Sequence, residues 1–354
     1  MTDNDGSTSK RPFGRIMITL AAFVVVIAGL RVAQDIVTPF LLAAFFAIIC
    51  YPPLAWLQRK RVPNWLALLI VIGGGILVVL LVLLLTASSM SQFAGELGTY
   101  QEKLIAQQDQ LVQWLGNVEW LKEHEIDVNK YLKPDGFDPK LLVNLARFAL
   151  GTLGSLSSNL VLILLIFVFI LVEASVLPAK FQAMPGFTNL DGDRVRQILT
   201  DIRNYLTIKT KVSLLTAVLI TGCLWMLGVD FPVLWGLLAF FCNFVPNIGS
   251  ILAAIPAVLL ALVQLGPMSA LYVALSYLVI NGLIGNVLEP RMMGQGLGLS
   301  TLVVFLSLIF WGWVLGPVGM ILSVPLTMMA KITLDRFEET RWIAILLAAS
   351  PPEK

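Results

Sequence analysis

The sequence predicts an all-α polytopic membrane protein whose second half holds two broken helical hairpins in an inverted repeat. Of its 354 residues, 58% are hydrophobic and 13% are charged, whereas a soluble domain carries about 25% charged residues. Apolar runs of about 20 residues recur along the chain, and each is long enough to cross a bilayer as a helix. The runs are continuous rather than alternating, which argues against a transmembrane β-barrel. A third observation is a span followed by a broken span, repeated between Lys209 and Lys331.

The N-terminal part is predicted to hold a tail and three spans. Residues 1–15 are polar and rich in Ser, Thr and Asp, which predicts a disordered cytoplasmic tail. Residues 16–87 hold three membrane spans, at about 16–30, 39–56 and 65–85, with Pro39 opening the second. No small-residue cleavage site follows the first apolar run, so we interpret this run as an anchor and not as a signal peptide.

Residues 88–150 form a polar insert that we expect to be helical and extracytoplasmic. The stretch 88–147 holds nine acidic and six basic residues, too many for a lipid-embedded segment. Apolar residues recur in it at helical steps and predict an amphipathic helix with a narrow apolar seam: Phe93, Leu97, Tyr100, Leu104, Leu111, Leu115 and Val118. The seam suits packing against a helix of the same subunit or of another subunit, and the sequence favours neither.

Residues 151–178 are predicted to be a fourth span, and 179–208 an amphipathic helix at the cytoplasmic membrane surface. The apolar face of that helix holds Val195, Ile198, Leu199, Ile202, Tyr205 and Leu206. A transport core over 209–334 and a cytoplasmic tail over 335–354 follow. Basic residues predict the orientation. With both termini cytoplasmic, the inside segments (1–15, 59–61, 178–211, Arg291 and the C-terminal stretch from Lys331) hold 17 of the 24 Lys and Arg residues.

Two segments of the core are too long for one span and too short for two. Residues 231–265 and 299–331 would each measure roughly 50 Å as one straight helix, against a hydrocarbon core of about 30 Å. Each is interrupted near its middle, by Pro246-Asn247-Ile248-Gly249 and by Gly312 through Gly316-Pro317. Proline removes a backbone donor and glycine permits a sharp turn. Each segment is therefore predicted to be a hairpin of two part-length helices.

The predicted orientation makes the two hairpins opposed. The fifth span, at about 212–227, runs outward, so the first hairpin enters the membrane from outside. The seventh segment, at about 268–287, runs inward, so the second hairpin enters from the cytoplasm. Two span-plus-hairpin units of opposite orientation form an inverted repeat, and transporters with this plan bind substrate near the membrane midplane.

Candidate substrate-binding or gating residues lie at the two breaks and along the seventh segment: Asn243, Pro246, Asn247, Gly249, Asn281, Asn286, Glu289, Pro290, Gly312, Gly316 and Pro317. Glu289 is either a functional ionisable group at membrane depth or an interfacial carboxylate paired with Arg291. The asparagines either contact substrate or cap helix ends. Asp230 is expected to cap the first helix of the first hairpin.

No catalytic, metal or cofactor site is predicted. The three cysteines lie in apolar runs without ligand spacing, and His124 is the single histidine. The sequence lacks a phosphate-binding loop, a His-Glu-x-x-His motif and a Gly-x-Ser-x-Gly motif. These features argue against ATP-driven transport by this chain alone and against an intramembrane enzyme. Nothing in the charge distribution suggests nucleic acid.

Four ordered motifs resemble the autoinducer-2 exporter family of permeases, the PerM-like membrane transporters. They are Phe244-Val245-Pro246-Asn247-Ile248-Gly249, Asn286-Val287-Leu288-Glu289-Pro290, Gly312-Trp313-Val314-Leu315-Gly316-Pro317-Val318-Gly319 and Val324-Pro325-Leu326. The resemblance covers nearly the whole chain. It implies a bacterial inner-membrane transporter with about eight membrane segments, which either exports the signal autoinducer-2 or exchanges sodium or lithium for protons.

The leading hypothesis is therefore a multi-pass inner-membrane secondary transporter that exports a small polar solute such as the quorum-sensing signal autoinducer-2. Na+(Li+)/H+ antiport, with Glu289 as the proton carrier, is the alternative within transport. An oligomeric membrane scaffold assembled through the apolar seam is the alternative from another class. The expected partners are the lipid bilayer, the solute, Na+ or H+ as a coupling ion, and further copies of the chain in a homo-oligomer.

Overall fold

The computed structural model describes residues 12–116, 159–174, 180, 189–246, 248–293, 298–335 and 340–349. In chain order its α-helices are α1 (Pro12–Val32), α2 (Gln34–Arg59), α3 (Asn64–Gly116), α4 (Leu160–Ala174), α5 (Asn189–Met226), α6 (Pro232–Cys242), α7 (Ile248–Leu265), α8 (Pro267–Leu283), α9 (Glu289–Met293), α10 (Thr301–Asp335) and α11 (Arg341–Leu347). A π-helical turn (Ile284–Leu288) joins α8 to α9. Most of the predicted N-terminal tail, residues 117–150 of the polar insert and residues 151–158 of the predicted fourth span lie outside the described residues.

The predicted all-α membrane class is confirmed. Within the described ranges, six helices are long and apolar enough to cross a membrane, and three further apolar helices are shorter. Large apolar side chains face outward, such as Val161, Phe169 and Leu278 with 81%, 65% and 70% exposure. An apolar outer surface of this kind fits lipid rather than water. The number of eight membrane segments stays a prediction, because helix length and composition do not say which of the shorter helices cross.

Helices α6 and α7 form the first predicted hairpin, called hairpin 1. Residues 243–247 separate the two helices, which pack against each other. A Cβ atom on Gly249 would lie 1.7 Å from the carbonyl oxygen of Cys242, so the two backbones touch at the turn. Only glycine allows this approach. The predicted break is thus confirmed at Pro246 and Gly249, whereas Asn247 lies outside the described residues.

Helix α10 forms the second predicted hairpin, called hairpin 2, with arms over 301–315 and 317–335. Gly316 interrupts the helix with φ 68° and ψ −153°, a conformation that favours glycine. The indole nitrogen of Trp311 donates a hydrogen bond to the Thr327 hydroxyl at 3.0 Å, although the two residues are 16 apart in sequence. In a straight helix they would lie about 24 Å apart, so the chain reverses between them. A Cβ on Gly319 would lie 2.0 Å from the carbonyl oxygen of Trp311.

The two hairpins approach α5 from opposite ends. The base of hairpin 1 lies at the C-terminal end of α5, where the Gln264 amide donates a hydrogen bond to the carbonyl oxygen of Gly228 at 3.1 Å. The base of hairpin 2 lies at the N-terminal half of α5, where Gly298 and Lys331 share a cavity with Asp201. This opposed arrangement is the relation that an inverted repeat predicts.

The structure joins the second part of the predicted surface helix over 179–208 to the fifth span, whereas residues 179 and 181–188 lie outside the described residues. Residues from Asn189 onward belong to α5, one helix of 38 residues that continues into the fifth span. No glycine or proline interrupts residues 195–215, so nothing separates the two segments. The apolar face is covered by protein rather than by lipid: Ile202, Tyr205 and Leu206 are at most 5% exposed and pack in a cluster with α2, α4 and α10.

Helix α3 is also continuous. Its 53 residues include the third span and the first part of the polar insert. Two residues of the predicted apolar seam, Phe93 and Tyr100, are buried against hairpin 1 of the same subunit. The side chains of the other seam residues lie outside the described set. The sequence predicted Asp230 as the cap of α6, and this prediction is wrong. The N-cap residue is Phe231, and no side-chain capping bond is formed. Pro39 also lies inside α2 rather than at its start.

Candidate functional site

A buried polar stripe runs along α5. Tyr205, Lys209, Ser213 and Thr216 follow one another at steps of four, four and three residues, which places them on one helix face. They are 5%, 5%, 0% and 1% exposed. Buried polar groups in a membrane helix are costly unless they are paired, and they commonly mark a functional site. The sequence interpretation singled out none of these four residues for the site.

Lys209 forms an ion pair with the predicted residue Glu289. The Lys209 ammonium nitrogen lies 2.6 Å from the Glu289 carboxylate oxygen, and the two side chains are 6% and 18% exposed. The alternative pairing of Glu289 with Arg291 is therefore corrected. The side chains lie on different helices, 80 residues apart in sequence. Each charge is deprived of most of its water, so each depends on the other for compensation.

A local distortion of the backbone precedes Glu289. Pro290 cannot donate a backbone hydrogen bond, and its ring excludes the carbonyl of the preceding turn. The helix widens there into the π-helical turn, and the backbone N–H of Glu289 donates to the carbonyl oxygen of Ile284. Such turns often occur at functional sites. Asn286 and Pro290 are exposed and Asn281 is half-buried. Of the residues predicted on this segment, Glu289 is the one that pairs with Lys209.

The tip of hairpin 1 reaches the same stripe. The Asn243 amide nitrogen donates a hydrogen bond to the Ser213 hydroxyl oxygen at 2.9 Å. Ser213 lies one helical turn from Lys209, a rise of about 6 Å. Beside Asn243, the Phe244 ring packs edge-on against Phe45 of α2 with 5.5 Å between ring centroids. The predicted residue Asn243 therefore belongs to the site, in contact with α5.

The tip of hairpin 2 lies elsewhere. The predicted residues Gly312, Gly316 and Pro317 form this tip, whose neighbours Val314 and Leu315 pack against α1 and the start of α2. The base of hairpin 2 is near the ion-pair end of α5, and an arm of 15 residues measures about 22 Å. The structure thus separates these three residues from Glu289, although the sequence grouped them in one site.

A cavity of about 370 Å³ opens between the N-terminal half of α5 and the base of hairpin 2. It is lined by Asp201, Asn204, Tyr205, Ile208, Met293, Gly298, Met328, Lys331 and Ile332. The Lys331 ammonium donates a hydrogen bond to the carbonyl oxygen of Gly298 at 2.5 Å. Because Tyr205 precedes Lys209 by one turn of α5, the cavity ends next to the ion pair.

Two buried hydroxyl groups near the stripe have unused hydrogen-bonding capacity. The Thr210 and Tyr277 hydroxyl oxygens find no partner among the described residues. Buried polar atoms normally do find one, so both hydroxyl groups are exceptions to that rule among the described residues. Among the residues that the structure describes, no group of three or more His, Cys, Asp or Glu residues is arranged to hold a metal ion.

Sequence reasoning placed Lys209 at the start of the predicted transport core and Ser213 and Thr216 in its fifth span, but it assigned none of the three to the site. A usable signal was present: an ionisable residue followed by two hydroxyl residues at helical spacing inside an apolar stretch. Their partners Glu289 and Asn243 lie far away in sequence, so the pairing itself had no local signal.

The chain matches one family profile and several bacterial proteins that are named for transport. The profile of the family described as "AI-2E family transporter" matches residues 20–339. The chain is 40% identical to the AI-2 transport protein TqsA of Escherichia coli over 334 residues, 94% of this chain and 95% of that protein. It is 37% identical to a Haemophilus influenzae protein named, provisionally, a transport protein, over 94% of this chain and 96% of that protein. With the membrane helices described above, these matches show that the chain is a multi-pass membrane transporter of the AI-2E family.

Proposed function

We propose that this protein is a bacterial inner-membrane secondary transporter that exports a small polar solute such as autoinducer-2. The observation that carries the proposal is the position of the buried Lys209–Glu289 pair. On one side of the pair lies the 370 Å³ cavity, and on the other side lies the tip of hairpin 1. A polar route that is open on one side and closed on the other is what alternating access requires.

The cavity lining supports a small polar solute. Asp201, Asn204 and Tyr205 present carboxylate, amide and hydroxyl groups, and Lys331 adds an ammonium group. These groups can donate to and accept from hydroxyl or carbonyl oxygens of a solute, while the methionine and isoleucine side chains cover its apolar parts. The relative TqsA is named an AI-2 transport protein, which supports autoinducer-2 as the first solute to test.

In the proposed cycle, hairpin 2 gates the cytoplasmic side and hairpin 1 gates the outer side. The basic segments, including Arg59-Lys60-Arg61, support a cytoplasmic position for the cavity end of α5 under the positive-inside rule. Thiol labelling of Leu265→Cys and Asp335→Cys tests the orientation, because both positions are exposed at the bases of the two hairpins. A membrane-impermeant reagent is expected to label them from opposite sides, and labelling of both from one side contradicts the inverted repeat.

Proteoliposomes test the transport itself. Vesicles containing the purified protein are loaded with autoinducer-2, and its release is measured with and without proton and sodium gradients. We expect gradient-dependent release that Glu289→Gln and Lys209→Met strongly reduce, while Lys180→Met, in the exposed pair with Glu173, leaves it unchanged. Release no faster than from empty vesicles under every gradient contradicts the proposal.

Cation–proton antiport is the second candidate, because Glu289 is an ionisable residue next to a cavity in a membrane protein. In this alternative the carboxylate alternates between the Lys209 ammonium, a proton and a sodium ion. Sodium-driven proton movement is measured with a pH-sensitive dye inside vesicles. Antiport through this group is excluded if Glu289→Gln moves protons as fast as the unsubstituted protein.

The scaffold alternative receives less support, since Phe93 and Tyr100 of the apolar seam already pack within their own subunit. A homo-oligomer remains a prediction. Mass measurement of the protein in nanodiscs, with chemical cross-linking in membranes, tests it directly.

A further inference from the structure

The extension of α3 beyond the membrane span contacts the base of hairpin 1 through one charged hydrogen bond. The Tyr100 hydroxyl donates to the Asp230 carboxylate oxygen at 2.7 Å, across 130 residues of sequence. Tyr100 is 2% exposed. Burial, and then the hydrogen bond to Asp230, raise the pKa of the Tyr100 hydroxyl, so it keeps its proton and remains a donor.

Asp230 also joins the two ends of hairpin 1. Its backbone N–H donates to the side-chain oxygen of Gln264 at 2.9 Å, at the end of α7. Its carbonyl oxygen accepts from the indole nitrogen of Trp235 at 3.0 Å, at the start of α6. The Gln264 amide in turn donates to Gly228. Asp230 therefore connects α3 with both helices of hairpin 1, and Gln264 extends these contacts to the end of α5.

The chain around Asp230 is a strained turn. Gly228 has φ 73° and Phe231 has φ 57°. Left-handed backbone is unfavourable for a residue with a bulky side chain such as Phe231, and it persists only where surrounding contacts hold it. Phe93 of α3 supplies such contacts, with ring centroids 5.7 Å from Phe231 and 6.3 Å from Trp235. Without the α3 contacts, the turn has less to oppose rearrangement.

We propose that Tyr100 and Asp230 are positioning residues that hold hairpin 1 in its closed position during transport. We call this contact the α3 latch. Residues 228–231 act as the hinge, and release of the latch lets hairpin 1 pivot so that its tip leaves Ser213. The inference rests on the proposed function in one respect, namely that hairpin 1 is the outer gate of the transport route.

The packing of α6 on α5 shows what such a pivot would uncover. A Cβ on Gly236 would lie 1.9 Å from the Thr221 hydroxyl oxygen, and Asn243 reaches Ser213, so α6 covers the outer half of the stripe. Thr216 lies between these two contacts and is 1% exposed. Its hydroxyl bonds only to the carbonyl of Val212 in its own helix among the bonds described. Thr216 is therefore a reporter position whose replacement leaves the tip contact intact.

The test uses Thr216→Cys in a chain whose three native cysteines are replaced by alanine, reconstituted in vesicles of known orientation. The rate of labelling by a membrane-impermeant maleimide is measured from each side. A hydrogen bond to a charged group is lost in Tyr100→Phe, so we expect labelling from outside to rise roughly tenfold to hundredfold. Asp230→Asn is expected to change it in the same direction. The matched control is Tyr272→Phe, a tyrosine 51% exposed on α8, which is expected to have no effect.

An outside-specific rise supports the latch, whereas a purely structural role of Tyr100 predicts a lower Tm with labelling raised from both sides. Unchanged labelling in Tyr100→Phe, a two-sided rise, or an equal rise in Tyr272→Phe overturns the proposal. The measurement requires no solute. If one-sided labelling is found but no solute is transported, the latch stands and the transport role of hairpin 1 falls.

Discussion

Replacing Lys209 by methionine tests whether the buried ion pair holds α5 to the segment that carries Glu289. The charged atoms lie 2.6 Å apart, and the side chains are 6% and 18% exposed. Removal of one partner of a buried pair costs about 3–5 kcal/mol, because the remaining charge is left without compensation. Glu289 keeps some contact with solvent, so we expect Lys209→Met to cost about 3 kcal/mol. Glu289→Gln leaves the more deeply buried ammonium, and we expect about 4 kcal/mol.

The double variant separates the charge interaction from ordinary packing. Lys209→Met combined with Glu289→Gln leaves no buried charge, so we expect a loss of only about 2 kcal/mol, well below the sum of the single losses. A pair that contributed only packing would give single losses that add. The free energy of unfolding is measured in mixed micelles with a rising fraction of denaturing detergent.

An exposed pair in the same chain provides the control. Lys180 pairs with Glu173, and both side chains are about half exposed, at 54% and 51%. Solvent screens such a pair, so Lys180→Met is expected to cost at most about 1 kcal/mol. The reasoning is refuted if Lys209→Met costs no more than Lys180→Met, or if the two single losses at the buried pair simply add in the double variant.

Three further predictions concern the hairpins and the latch. Gly249→Ala and Gly319→Ala are expected to lower the free energy of unfolding by about 1–3 kcal/mol, since each new Cβ would meet a carbonyl oxygen. Gly222 has open space around it, so Gly222→Ala is expected to raise the free energy of unfolding by up to about 1 kcal/mol. Equal effects at all three positions would contradict the hairpin turns. Asn243→Ala is expected to lose about 1 kcal/mol and to weaken gradient-driven release, and unaltered release would remove this residue from the gate. The pKa of Tyr100 is raised in the folded protein. The protonated hydroxyl therefore stabilises the fold fully below the unfolded-state pKa of about 10, and this stabilisation is lost only at higher pH. The difference in unfolding free energy between Tyr100→Phe and the unsubstituted chain should stay constant from about pH 6 to 9, and a decline within that range would contradict the assignment.

Features that depend on local backbone chemistry could be predicted from the sequence. The breaks at Pro246–Gly249 and at Gly316–Pro317 are examples, because proline and glycine restrict or permit the same backbone conformations wherever they occur. The membrane class followed from composition and run length. Glu289 was found because an ionisable residue near an apolar segment is rare enough to be conspicuous.

The partners of these residues were decided only by tertiary structure. Lys209 was placed at the start of the predicted transport core without a partner, yet helix packing brings it to Glu289 across 80 residues. Asp230 has the local sequence of a helix cap, but α3 supplies Tyr100 as its partner across 130 residues. A sequence pattern states which groups need a partner, since burial of a charge or donor is costly anywhere. It does not state which helix faces meet, because that depends on the packing of the whole chain at once.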